Sequence, residues 1–523
     1  MKNLTKILAV AIALIVIAAC GPTKPAGSAP AAGGSSGPAP KIKFWSEMNP
    51  NVSAHHLNHG ETEFAKEWQA RTGIDVEFVH FTTDDSFTLL WASSLNDRPD
   101  IISYWWTNDY PGGLQGAMDD GNIIRLEEHW DICPNFEKWL DQNPNIMKAM
   151  QFPDGSFAGF PSVNGGTGEL LQSQGLAIRK DLLDSMGLKV PTTIDEWENV
   201  LTEFKNAGLA SPYCGSAGTG TATGAFGTAF SLGANDWYID GTTIKYNVME
   251  PSYKDYLALI KGWYDTGLLD ADYMTMDNNT RTARVLDGTG GATTCYWSDM
   301  LVFNTDSEID GFDMRPAPFP VLTAGQINDY STMYFPYTGS GSLYACISNN
   351  KNIEYSCKFM DYLWSPEGID LANWGIEGVS YTVQPNGTKK LTEIMLNPEE
   401  GWTSYQMRGK YMLSFGSGPY WQDPVIPTAG FVVEQQFEAR DVWSKNATLA
   451  HTLPPFFRDN DVNEEFTTIM ADVRTYLSES RDQFILGIKS LNDFDAYIEQ
   501  ARKLGYDRAL EIQQDALNEY LKK

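Results

Sequence analysis

The body of the chain opens with an alternating stretch, Lys41-Ile42-Lys43-Phe44-Trp45, the period of a half-buried strand. Phe64 and Trp68 then recur four apart, and Gly73 stands where a C-terminal cap belongs, so a helix is predicted over 61–71. Ile74, Val76 and Phe78 alternate with Asp75 and Glu77 as a second strand. A helical stretch over 85–95 stops before Asp97-Arg98-Pro99-Asp100, and Ile101-Ile102-Ser103-Tyr104 reads as a short buried strand. Strand, helix, strand, helix, strand in this order predicts a parallel, doubly wound sheet with right-handed crossovers. The pattern resumes after Pro161. Leu176-Ala177-Ile178 is strand-like and 181–186 helical, while Thr193-Ile194-Asp195-Glu196 is a capping box before a helix burying Trp197, Val200, Leu201 and Phe204. Ser365-Pro366-Glu367 marks another helix start, and 490–523 is largely helical with Phe494, Tyr497, Ile498, Ala501 and Leu504 on one face.

The first forty residues follow a different rule. Met1-Lys2-Asn3 and Lys6 precede an unbroken apolar run from Ile7 to Ala19, too short for a spanning helix and fitting a secretory signal over 1–19. The run ends in Ile17-Ala18-Ala19-Cys20, which resembles the bacterial lipobox and makes Cys20 the expected lipidation site. The alternative is an ordinary signal peptide with a coincidental cysteine. Gly21 to Pro40 holds only Gly, Pro, Ser, Ala, Thr and one Lys, so 20–40 reads as a lipidated Cys with a flexible tether, reaching roughly 25 Å for about twenty residues. Two or three acyl chains hold such a protein stably to a membrane. The expected location is the extracytoplasmic face of the cell membrane.

Composition narrows the function classes. A chain of 523 residues is expected to form two or three cores, and 42% hydrophobic with 12% aromatic content excludes disorder for its bulk. The net charge of −29 makes nucleic acid and anionic lipid poor ligands. If Cys20 carries lipid, five cysteines remain, Cys133, Cys214, Cys295, Cys346 and Cys357, with no C-x-x-C spacing; they read as buried small apolar residues. His55-His56-x-x-His59 has a metal-like spacing without the carboxylate of H-E-x-x-H, and reads as a solvated loop. With no P-loop and no G-x-S-x-G, neither cofactor nor metal is expected.

Four segments taken in order resemble the extracellular carbohydrate-binding lipoproteins of ABC importers, the subgroup related to alginate-oligosaccharide-binding proteins. They are Asn96-Asp97-Arg98-Pro99-Asp100-Ile101; Gly121-Asn122-Ile123-Ile124-Arg125-Leu126; Ile178 to Leu183 continuing through Pro191 to Trp197; and Phe359 to Gly368 ending in 375–382. The resemblance implies an α/β fold of two periplasmic-binding-protein-like lobes joined by a multi-strand hinge. It implies an N-terminal lobe of 41–165 and 338–395, a C-terminal lobe of 166–337 and 396–460, and C-terminal helices over 461–523 packing on the lobes. Crossings are expected at 161–176 and 338–347. Some relatives carry a calcium loop after the Glu196-Trp197 helix; here 205–213 has no acidic ligands, so none is expected.

The implied function is a non-enzymatic, monomeric receptor that binds an oligosaccharide, a neutral one by the scarcity of Arg near the aromatics, and delivers it to an ABC permease. Sugars present C–H faces to flat rings and hydroxyls to carboxylates and amides. Candidates are therefore aromatics beside strand ends or glycines with polar neighbours: Trp45 and Glu47, Trp105 and Trp106 (with Asn108 and Asp109), Asn164 and Glu169, Trp237, Trp297 and Asp299, and Trp374 and Glu377. Each Trp has core packing as its alternative, and successive strand residues face opposite ways, so one of Trp105 and Trp106 is expected to be buried. Two rival classes remain: a surface glycoside hydrolase, which needs two carboxylates about 5–9.5 Å apart, and a peptide receptor, which needs paired charges for the ligand termini.

Overall fold

Among the described residues fifteen strands form. In chain order the strands are β1 Ile42–Ser46, β2 Val76–His80, β3 Ile101–Tyr104, β4 Phe160–Pro161, β5 Val163–Asn164, β6 Gln174–Arg179, β7 Ser211–Tyr213, β8 Trp237–Asp240, β9 Thr243–Tyr246, β10 Gly290–Tyr296, β11 Met314–Ala317, β12 Tyr344–Ile347, β13 Tyr381–Val383, β14 Lys389–Leu391 and β15 Trp421–Gln422. The sequence pattern anticipates β1, β2, β3, β6 and β12 of them. The coordinates are a computed structural model describing residues 40–81, 85–106, 110–165, 172–215, 224–332, 343–413 and 419–523. Cys20 lies outside the described residues.

Two sheets organise the body. The first has the order β2-β1-β3-β12-β4, with β1, β2 and β3 parallel and β12 antiparallel to β3 and β4. Its carboxyl edge carries Ser46, His80 and Tyr104, with Tyr344 paired to Tyr104 and to Pro161. The helices Glu63–Thr72, Pro134–Gln142, Ile353–Asp361 and Pro366–Trp374 cover it with one continuous core that includes Trp68, Phe136, Phe359 and Leu371. The second sheet has the order β11-β6-β10-β7, and β6 runs antiparallel to both neighbours. Gln174 opens β6 opposite Tyr296, the last residue of β10, so these two mark the same edge. A second core joins the helix Ile194–Asn206 to the C-terminal helices Asn460–Ile485, Phe494–Lys503 and Tyr506–Lys522. This is the α/β class that the resemblance implies, while the parallel order expected from the strand–helix pattern holds for β1, β2 and β3 and gives way to antiparallel pairing at β12 and β6.

The connections fix how the sheets relate. The chain leaves the first sheet at Pro161, forms β5 and enters the second at Gln174; it leaves the second at Ala317 and re-enters the first at Tyr344. Both crossings therefore join carboxyl edge to carboxyl edge, the place where open α/β sheets take their ligands. A third crossing follows β15, which pairs in parallel with β5 through Trp421↔Val163 and Gln422↔Asn164. Gly165 is required here by close approach, because a Cβ would strike the Gln422 carbonyl and the Trp421 ring. Asn373 pins β15 from the side: its amide donates to the Trp421 carbonyl (2.8 Å) and its oxygen accepts from the Asp423 amide (2.7 Å).

Several expectations need correction. The helix expected over 85–95 spans Asp85–Leu90, because the Arg98 guanidinium takes the carbonyls of Trp91 (3.2 Å) and Ser93 (3.1 Å) and holds them in a turn. The passage to the C-terminal lobe was expected at 396, yet the helix Ser404–Tyr411 packs on Glu63–Thr72, and Leu413 and Tyr420 belong to the first core. The helix Glu434–Trp443, further along, packs on the second sheet against β11 and β6. The histidines do not form a solvated loop: His59 is buried between Phe64 and Phe78, and His55 stacks on Trp402 with ring centroids 3.7 Å apart. The five body cysteines, by contrast, are buried as expected.

Candidate functional site

The two carboxyl edges present aromatic rings on both sides. Beyond β3, Trp105 is 38% exposed and Trp106 is fully buried, as strand alternation requires. Trp106 donates its indole N–H to the Tyr344 carbonyl (3.1 Å) and sits among Phe87, Trp91 and Tyr110. Beyond β10, Tyr296 is 45% exposed and Trp297 turns inward, edge-on to Phe431 at 5.5 Å. Trp297 starts the helix Trp297–Asp306, and its indole N–H has no hydrogen-bond partner among the described residues.

Two further unpartnered polar atoms sit on the same edges: the Gln174 side-chain oxygen, buried at the start of β6, and the Ser162 hydroxyl, buried at the first crossing. A buried polar atom without a partner costs about 1–3 kcal/mol; such atoms also occur within the cores, and these three are the ones beside the crossings. Gln174 also lines a narrow recess with Gly175, Thr228, Thr294, Phe319 and Ser331. From the other side, Arg408 lies half-buried over the Tyr405 ring at 5.7 Å, with no ion-pair partner among the described residues. Tyr405 hydrogen-bonds Gln436 and lies near Asp299; burial raises its phenol, and burial pushes Tyr420 up to about 12, so both are neutral hydrogen-bonding groups at ordinary pH.

The remaining candidates have other placements. Trp45 is buried and stacks on Phe81 at 4.5 Å; Trp237 is buried against Tyr246 and Tyr506 in the second core; Trp374 is buried with its indole N–H on Asp423 at 2.9 Å. These three, like Trp106, fill cores. Asp299 accepts from the Tyr296 amide (3.0 Å) and pairs with Arg281 (2.9 Å), which orients the start of its helix. Glu47 is exposed just past β1, Glu377 is exposed in the turn after Trp374, and Asn164 lies half-buried on the crossing strand. Asn108, Asp109 and Glu169 lie outside the described residues. Among the described residues no group of His, Cys, Asp and Glu is placed to hold a metal ion. Gln174, Ser162, Tyr296, Tyr405 and Arg408 were not among the sequence candidates. Only Tyr296 carried a signal, its place beside Trp297 after a glycine-rich run.

Comparison with known proteins agrees with this fold. The fructooligosaccharide ABC transporter substrate-binding protein FusA of Streptococcus pneumoniae is 24% identical, over 97% of this chain and 96% of that protein. Lipoprotein LipO of Bacillus subtilis is 21% identical over 81% and 84%. Among solved structures, FusA in complex with kestose superposes with a TM-score of 0.72 at 20% identity, covering 92% of this chain and all of that one. The alginate-binding protein AlgQ2 without calcium ion gives 0.71 at 21% identity, over 92% and 99%. The model of the bacterial extracellular solute-binding protein family matches residues 60–370, more than half the chain. The chain belongs to the bacterial extracellular solute-binding proteins.

Proposed function

We propose that this protein is an extracytoplasmic receptor that takes a neutral oligosaccharide between its two sheet edges and delivers it, chemically unchanged, to an ABC permease. The observation that carries the reading is the pair of exposed rings, Trp105 and Tyr296, at the carboxyl edges of the two sheets, with the Ser162, Gln174 and Trp297 atoms, unpartnered among the described residues, near the same edges. Rings stack on the C–H faces of a sugar; amide, hydroxyl, indole and guanidinium groups meet its hydroxyls. Glu47, Asn164 and Arg408 complete the polar rim. The similarity to a fructooligosaccharide-binding and an alginate-binding protein supports a saccharide ligand. Lipid on Cys20 and a tether to Pro40 keep the monomeric receptor at the membrane, as the similarity to a lipoprotein supports.

Mechanistically, the hinge strands β5 and β15 let the lobes close on the ligand, and closing signals occupancy only if the sugar binds the closed form better than the open one. The test is calorimetric titration with fructo-, manno-, galacto- and uronate oligosaccharides, with chromatography of the sugars afterwards. One class is expected to bind and be recovered intact. Trp105→Ala and Tyr296→Ala should each weaken it about 10- to 100-fold, the loss of roughly 1.5–3 kcal/mol of ring burial, with unchanged melting. Shortened sugars would overturn the receptor reading in favour of a hydrolase. Unchanged affinity in both variants would overturn the site.

A further inference from the structure

Of the five buried cysteines, Cys214 and Cys295 each lie 3.6 Å from a methionine sulfur, that of Met276 and of Met300, and Cys346 lies in the middle of β12. The other two meet. Cys133 is the residue before the helix Pro134–Gln142, and Cys357 lies in the helix Ile353–Asp361. One turn after Cys357 on the same helix face, Asp361 accepts from the Phe136 amide (2.8 Å) and the Asn135 side chain (2.7 Å). The 357/361 face is thereby clamped onto residues 133–136. Both cysteines are fully buried in the same core, and Cys357 is the neighbour that most perturbs the Cys133 thiol. A surface pocket of about 450 Å³ opens above the contact; Asp131, Ile132 and Pro134 wall one side, and Tyr355, Lys358 and Asp361 the other.

We propose that Cys133 and Cys357 form a disulfide in the exported protein, a covalent staple across the first lobe. Outside the cytoplasm thiols meet oxidants that a cytosolic protein does not. The oxidant is a second disulfide, on a protein or a small molecule. One cysteine thiolate attacks it, forming a mixed disulfide and releasing one thiol. The other cysteine attacks the mixed disulfide, closing the Cys133–Cys357 bond and releasing the second thiol. Two electrons pass from the pair to the oxidant, and both protons end on its thiols. The hydrogen bond with Cys357 and then burial push the Cys133 thiol up, so the folded protein offers little thiolate. Oxidation therefore precedes closure of the core, and the finished bond resists reductant until the lobe unfolds.

The test uses the full chain recovered from the outside of an exporting cell, denatured without reductant and labelled with a maleimide. Three of the five body cysteines should label, all five after reduction, and a non-reduced digest should contain the Cys133 and Cys357 peptides joined. The Cys133→Ala/Cys357→Ala protein should label three in both conditions and melt lower by roughly 5 °C or more, the effect of losing a long-loop crosslink. Labelling of all five without reductant, or a crosslink between any other pair, would overturn the proposal whether or not the double variant folds.

Discussion

Tryptophan identity says little at the level of single residues; its neighbours decide. Trp106 and Trp105 are adjacent, yet one is fully buried and the other more than a third exposed, a consequence of strand alternation that the sequence made legible. What stayed illegible was which isolated Trp fills a core: Trp45 and Trp237 pack against rings contributed from distant segments, Phe81 and Tyr506, and Trp374 against Tyr381 on the strand that follows it. Asp299 illustrates the same point for charge. It was a candidate ligand group, and its partner Arg281 lies 9% exposed with Asp299 as its ion pair. Asp299→Ala leaves that guanidinium buried without a counter-charge and should lower stability by about 3 kcal/mol, read as a lower denaturant midpoint with or without sugar; an unchanged midpoint would contradict the structural role. His59 sets a pH dependence. Burial, then the neighbouring His80 and His56, depress its pKa to about 3, and burial lowers His80 too. The unfolded chain therefore binds more protons than the folded one as pH falls from about 6.5 toward 3, and stability falls with it, by up to about 1.4 kcal/mol per pH unit for one group. Asp361 runs the other way: burial raises it to about 6, so its contribution is lost as pH rises through that value. Subtracting the melting curves of His59→Gln from those of the native protein isolates the first effect, and the difference should grow steadily below pH 6.5.

Elements with dense local signals were readable, those held by distant partners were not. The Thr193 capping box is present in full, the Thr193 hydroxyl accepting from the Glu196 amide (3.2 Å) and the Glu196 carboxylate accepting from the Thr193 amide (3.1 Å). Thr193→Ala should cost about 1 kcal/mol and leave sugar affinity unchanged, since the cap is a local device of the second lobe. Gly73 adopts the left-handed cap conformation, φ 68°, and Ser365 caps its helix by accepting from the Gly368 amide (3.0 Å). In contrast β5 and β15 are two residues each, too short for any periodicity, and their pairing joins positions some 258 residues apart through a register only the fold supplies. That is why the lobe boundary expected at 396 precedes residues, Leu413 and Tyr420, that pack in the first core. The candidate site is illegible for the same reason. Gln174, Ser162 and Arg408 come from three different crossings or layers, and nothing local to any of them announces the others.

At the scale of the whole molecule, closure depends on what joins the lobes besides the hinge strands. Phe456 and Phe457 are adjacent and part company: Phe456 belongs to the second core, while Phe457 packs on the first, stacked on Phe152 at 3.9 Å. Nearby, Gly112 approaches Asn460 so closely that a Cβ would collide with the Asn460 side chain, and the Lys148 ammonium sits 4.0 Å over the Tyr520 ring. These contacts fasten the start and the end of the C-terminal helices to the first lobe, on a path separate from β5 and β15. A ligand shifts the balance of open and closed forms only by its differential affinity, so a contact that already favours one arrangement sets how far the sugar must shift it. Phe457→Ala removes the stack without touching Trp105, Tyr296 or the crossings. The sugar-free variant should then show a larger radius of gyration by solution scattering, and saturating sugar should contract it by more than it contracts the native protein. Affinity should fall at the same time, because part of the binding energy now draws the lobes together. A variant with native dimensions and native affinity would mean that β5 and β15 alone govern closure, and that Phe457 only fills space.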